Sequence, residues 1–343
     1  MPFTALFSDL VLCGAGTLRA LVLALLDVYH GDAASADAVS GRLRTLCPLL
    51  YRAEDATLAK ANELILAAKN TLDKEARAKS FKEAVTLCKT IGQHVNVGAI
   101  CGQLAVGGAY GGVAELCLAV AEARDEQQRA QHFYRSGQQQ PQHDVQGYTA
   151  FQQRMECYRT IIDHLNQLVG AAPPPPPSIP DRPGPPSPPP APTLPSDEAT
   201  SYAKEMADLV VASKDELAHV TLYQWLLETR QTDALLAIHS PYLETYLTSQ
   251  GSMRELLWRF YERQKQYVKA AKTLLSLAEE TGGGRGVAER VELVSRALMC
   301  VSAGEMSTAA SHADFLLHLE EKKEVARVQL LVLHGLQVLD YIF

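Results

Sequence analysis

The 343 residues are 47% hydrophobic with a net charge of −7, too apolar for disorder throughout. Residues 1–170 hold 16 Lys and Arg against 17 Asp and Glu, and residues 196–343 hold 15 against 21. That balance lacks the basic stripe a phosphate backbone requires and argues against direct nucleic-acid binding. The seven cysteines are scattered with no CxxC spacing, which points to buried thiols in a reducing compartment rather than a disulfide framework.

Taken in chain order, the first motif is Asp9–Arg19, DLVLCGAGTLR. A short apolar run before Gly14-x-Gly16 is how a dinucleotide-binding turn begins, but Arg19 stands where the third small residue belongs. No second strand with a ribose-binding acid follows, so the glycines read as a break between helices. Residues 18–29 are apolar yet bracketed by Arg19 and Asp27, well short of the roughly 20 residues a membrane span needs. Asp9 and the lack of a basic start argue against a signal peptide.

Beyond this, apolar residues recur at helical spacing. Phe81, Ala84, Val85 and Cys88 form one stripe; Val113, Leu116, Cys117, Val120 and Ala121 form the next. Phe151, Met155, Tyr158, Ile162, Leu165 and Val169 are expected on one face through five turns. Gly92, the Gly107–Gly112 run and the polar Ser136–Asp144 segment break these helices. The Gly107–Gly112 run lacks the Lys-Ser/Thr of a phosphate loop and reads as a flexible turn.

Proline divides the chain. Of 18 prolines, 14 lie between Pro173 and Pro195, and the rest of the sequence is nearly free of them, as long helical tracts need to be. The tract favours extended polyproline II; its Pro-x-x-Pro spacings make an SH3 or WW ligand the alternative to a spacer. Past it, Ser213 with Glu216 and Ser252 with Glu255 are expected to form capping boxes, with Ser311 and Asp314 resembling one. Ser240-Pro241 should cap a helix and place proline at its first position.

No two-residue alternation is sustained, so the expected fold is all-α, an irregular solenoid of stacked helix pairs interrupted by a proline-rich disordered loop. The expected organisation is a first helical part over residues 1–170, a proline-rich linker over 171–196, and a second helical part over 197–343. The histidines do not join cysteines or carboxylates at ligand spacing, so no metal is expected, and no nucleophile context occurs. His164 and His219 read as helix-surface or helix-contact residues. Trp225 and Trp258 stand in dense aromatic helices and read as core between stacked helices, with a partner hot spot as the sharper alternative. The run Glu320–Lys323 reads as a solvated helical face.

The segments Leu222–Leu247 (LYQWLLETRQTDALLAIHSPYLETYL) and Arg254–Glu280 (RELLWRFYERQKQYVKAAKTLLSLAEE) resemble the large inner-ring scaffold nucleoporins of the 155/170-kilodalton type, the non-repetitive, wheat-germ-agglutinin-negative family. The match continues through RVELVSRALMC and DFLLHLEEKKEVARVQL, and upstream through GVAELCLAVAEARD, HFYRSGQ and AFQQRMECYRTIIDHL. It runs from about Ser80 to Leu330, across the proline tract, which is longer here than the family's break.

The resemblance implies an α-solenoid in the inner ring of the nuclear pore complex, normally preceded by a seven-bladed β-propeller with a membrane-contacting loop. The chain holds only solenoid, so direct membrane contact is not expected of it. Its end at Tyr341-Ile342-Phe343, in mid-stripe and without a glycine or asparagine cap, fits truncation. The implied function is a structural scaffold, acting by protein–protein interaction in pore assembly and nucleocytoplasmic transport, with linker and inner-ring nucleoporins as partners. No enzyme, cofactor, metal or small-molecule substrate is expected, and partner-binding residues stay unassigned. The alternative is a helical-repeat adaptor or coat protein of membrane traffic.

Overall fold

In the computed structural model the described residues are 41–43, 45, 51–137, 144–170, 196–280, 286–303 and 310–342. They form fourteen α-helices longer than one turn and no strand. They divide into two compact units, Met1–Leu222 and Tyr223–Phe343, with the division falling inside one helix.

The first unit contains α1 (Ala53–Asn70), α2 (Lys74–Ile91), α3 (Val97–Val106), α4 (Tyr110–Arg124), α5 (Arg129–Arg135), α6 (Val145–Val169), α7 (Ser196–Ala212) and the start of α8 (Glu216–Glu228). Polar side chains set the starts of several of these helices by accepting N–H groups that the first turn leaves unpaired. Asp73 accepts from Glu75, Asn96 from Ala99 and Asp144 from Gly147. α6 ends on Gly170 at φ +71°, a left-handed conformation that glycine adopts without Cβ strain. α1 packs on α2, α2 and α3 on α4, and α4 and α5 on α6. On the far side of the proline tract, α7 returns to pack on both α4 and α6. Leu168 and Met206 are both buried in this unit.

The second unit stacks the end of α8, α9 (Thr232–Ala237), α10 (Pro241–Ser249), α11 (Arg254–Arg263), α12 (Tyr267–Glu279), α13 (Val287–Ala303) and α14 (Ala310–Ile342). Its packing follows chain order: α10 on α11, α11 on α12, α12 on α13, α13 on α14. Short helices with one apolar face bury it only by stacking on their neighbours, which is the logic of a solenoid. Ser240 caps α10 by accepting from Tyr242, with Pro241 at the first position, as its sequence requires.

Three local expectations change. At α8 the cap is Asp215, which accepts from Leu217 at 3.1 Å, while Glu216 is drawn away to Arg135. At α11 a 3₁₀ turn, Gly251–Met253, precedes the helix, and Met253 at the N-cap offers no side-chain oxygen. Ser311 already lies inside α14. The stripe expected on α6 is also turned. The buried face comprises Gly147, Ala150, Arg154, Cys157, Tyr158, Ile161, His164, Leu165 and Leu168, and Val169 is exposed. α6 is covered by α4 and α5 and again by α7, so its buried sector includes polar residues that apolar counting passes over.

Candidate interaction surfaces

Arg154 sits in the middle of the α6 stripe, four residues after Ala150 and four before Tyr158, and is 3% exposed. Its Nε lies 3.0 Å from Asp125 Oδ2, an ion pair off the hydrogen-bond line, and one terminal nitrogen donates to the Asp125 carbonyl at 3.1 Å. The other terminal nitrogen donates to Asp215 Oδ2 at 3.1 Å, and the Tyr158 hydroxyl donates to the same oxygen. Asp125 also accepts from the Arg129 and Ala130 N–H groups at the start of α5. One guanidinium therefore joins two helix-starting carboxylates, fixing α5 and α8 on α6. Burial disfavours the Arg154 charge, but the Asp215 and Asp125 carboxylates beside it more than offset that penalty. Burial and Asp215 push the Tyr158 hydroxyl up. The network is closed and serves the fold.

His164 and His219 are buried helix contacts, with desolvation lowering the pKa of each. His164 meets Tyr110 edge-on at 6.4 Å between centroids, and a His219 ring nitrogen lies 2.9 Å from the Ser213 carbonyl. Cys88, Cys101, Cys117, Cys157 and Cys300 are buried free thiols; Cys13 and Cys47 lie outside the described residues. Burial pushes Cys88 and Cys157 up to about 11, so neither is a thiolate near neutral pH. Among the described residues no group of three or more His, Cys, Asp or Glu is placed to hold a metal ion. No described helix is long and apolar enough to cross a membrane. The Gly14–Gly16 motif and the proline tract lie outside the described residues.

The Gly107–Gly112 run is a close-packing device rather than a loose turn. A Cβ on Gly107 would overlap the Phe81 ring, one on Gly111 would overlap the Glu205 carboxylate, and one on Gly112 would come to 3.0 Å from Val85. Gly108 has φ +79°, the left-handed region that favours glycine. Through these contacts α4 approaches both α2 and α7. Above the turn a groove of about 530 Å³ opens between α2 and α7. Its α2 wall bears Lys74, Arg77 and Lys82; its α7 wall bears Glu198, Tyr202 and Glu205. Tyr202 stacks on the buried Tyr110 at 5.1 Å between centroids.

In the second unit Trp225 and Trp258 are 4% and 7% exposed, as expected for core residues. Trp258 nevertheless meets two guanidiniums, Arg259 at 5.5 Å and Arg296 at 5.4 Å from its centroid. Glu320 and Glu321 are exposed, while Lys322 pairs with Glu279 of α12 at 2.7 Å. Along α14, Val325, Val328, Val332 and Leu336 share a helical spacing and are each more than half exposed.

Comparison with known proteins places this arrangement. The family model described as non-repetitive/WGA-negative nucleoporin C-terminal matches residues 3–339. The chain belongs to that family. Nuclear pore complex protein Nup154 of Drosophila melanogaster is 31% identical over 341 residues, 95% of this chain and 24% of that protein. A probable nucleoporin of Schizosaccharomyces pombe is 28% identical over 83% of this chain and 20% of its own length. The chain thus spans about a quarter or less of these nucleoporins. Among solved structures, Chaetomium thermophilum Nup170 SOL matches 92% of this chain and 40% of its own at a TM-score of 0.69 and 24% identity, which speaks to the fold. The Nup170 CTD–Nup145N complex matches 80% of this chain and 50% of that one at a TM-score of 0.62 and 25% identity. Nucleoporin membership locates the chain at the nuclear pore complex.

Proposed function

We propose that the chain is a non-catalytic scaffold segment of the pore's inner ring, docking short segments of linker and scaffold nucleoporins in grooves between its helices. The observation that carries this reading is the solved complex of Nup170 CTD with Nup145N, a relative matched over four-fifths of this chain. The helix stacking supports it, because grooves between successive helices offer apolar anchoring sites with charged rims. The excess of acidic residues over 196–343 suits basic partner segments in that half. The scaffold reading needs no membrane, nucleic-acid or small-molecule contact by this segment.

The proline tract fits an excursion within one solenoid. Its support is the packing of α7 on α4 and α6, which continues one stack across the tract. Shortening residues 173–195 should leave helical content unchanged by circular dichroism; a loss would contradict this organisation. The docking reading is tested by calorimetric titration of the chain with the counterpart of Nup145N. Saturable binding of about micromolar Kd or tighter is expected. No binding at tens of micromolar would overturn it.

A further inference from the structure

The groove above the glycine turn supports a more specific inference, which deepens the docking reading and rests on it. Lys74, Arg77 and Lys82 all line the groove from α2, and none has an ion-pair partner among the described residues. On the facing wall the Tyr202 hydroxyl likewise has no hydrogen-bond partner among the described residues. A Cβ built on Gly108 would lie 3.7 Å from the Tyr202 hydroxyl oxygen and 3.9 Å from an Arg77 guanidinium nitrogen. Two unpartnered donors thus converge, from opposite walls, on the space above one residue. That residue stays bare because its φ of +79° disfavours any side chain.

The acidic wall does not cancel these donors. Among the described residues no ion pair joins the two walls, and Glu205 leans onto Gly111 in the first turn of α4. There it faces the positive end of a helix whose N-cap, Ala109, supplies no side-chain acceptor. Glu115, on the rim, is already paired with Lys89 at 2.7 Å. Three unpaired cations therefore remain on α2 against Glu198 and Glu205 on α7, beside a floor built on Phe81 and Tyr110.

We propose that this groove docks an extended acidic segment of another protein. Arg77 and Tyr202 take one Asp or Glu carboxylate above Gly108, a charge-assisted pair of the kind in which arginine offers a planar fork of donors. Lys74 and Lys82 meet flanking carboxylates, and an adjacent apolar side chain rests over Phe81 and Tyr110.

The test is selection of random twelve-residue peptides displayed against the intact chain, followed by fluorescence anisotropy of the selected peptides. Enriched sequences should carry Asp or Glu beside a large apolar residue. Arg77→Glu should weaken them by about tenfold or more, and Tyr202→Phe by several-fold, as loss of hydrogen bonds to a charged group implies. Arg259→Glu, in the other unit, should leave affinity within about twofold. Arg77→Ala, with circular dichroism on every variant, guards against misfolding. Enriched peptides that are basic, or that bind Arg77→Glu and wild type equally, would overturn the groove assignment while leaving docking in place. Tighter binding of a single-stranded uridine oligonucleotide at this groove would overturn it as well. Failure to enrich any peptide would overturn the groove assignment, whereas the docking reading falls only if the counterpart of Nup145N also fails to bind.

Discussion

The polar and charged side chains buried among the described residues are Asp55, Asp125, Arg154, His164, Glu216, His219 and Thr221, and all seven belong to the first unit. The second unit buries Tyr223, Trp225, Leu235, Leu243, Trp258 and their apolar neighbours, and its ion pairs, such as Lys322–Glu279 and Arg254–Glu280, stay at the surface. The two halves therefore hold similar helix stacks together by different means. Apolar burial is non-directional and tolerates small shifts between helices, so helices stacked in chain order suffice for it. Buried ion pairs cost desolvation and are worthwhile only in one geometry. They occur where the chain does something less regular: α7 returns across the proline tract, and short α5 must be held against α6.

That contrast can be broken most sharply at Arg154. Arg154→Ala leaves Asp125 and Asp215 without their buried counter-charge, and removing one partner of such a network costs about 3–5 kcal/mol. Urea unfolding followed by circular dichroism should show that loss, with amide exchange rising in α4 to α8. A change below about 1 kcal/mol would mean that apolar packing carries the first unit too.

A smaller effect is expected at the glycines. Gly107→Ala forces the Phe81 ring aside and should cost about 1–3 kcal/mol, as overpacking does. Gly102, inside α3 with nothing within 4 Å of its would-be Cβ, gives the opposite sign. Gly102→Ala should stabilise by about 0.5–1 kcal/mol through helix propensity. Equal melting shifts for the two variants would show that the Gly107–Gly112 run is not a packing device.

The smallest effect concerns pH. Burial lowers the pKa of His164 and His219, so below the ordinary histidine value of 6.5 the unfolded chain takes up protons that the folded chain refuses. The first unit's stability should be full above that value and fall as pH drops from 7 towards 5. His219→Gln should flatten the decline. Amide exchange in α11 to α13, where no buried histidine lies among the described residues, should change less over the same range.

Much of the fold is legible in the sequence where apolar spacing alone decides. The stripes of α2 and α4 are buried as their spacing requires, and Ser240-Pro241 caps α10. Legibility fails where polarity enters the core. Arg154 stands at stripe spacing with Ala150, Cys157, Tyr158 and Ile161, and a charged residue at that position was the available signal for a buried ion pair. Its partners cannot be read from α6, because Asp125 and Asp215 lie in separate connections 29 residues upstream and 61 downstream. The capping box expected at Ser213 fails for a related reason: Glu216 finds a stronger partner in Arg135 across the unit than in its own helix start. The groove was equally hidden. From sequence Gly107–Gly112 reads as a flexible turn, and only the fold shows that its bare backbone lets Phe81 of α2 and Glu205 of α7 approach.

The role proposed for this helical segment is a docking scaffold among nucleoporins. Affinity capture of the tagged chain from cell extract, with quantitative identification of what is retained, tests it most directly. Enrichment of nucleoporins, reduced by charge reversals on the surface of residues 196–343 and at Arg77, is the predicted result. Recovery of vesicle-coat or tethering components without nucleoporins would contradict it.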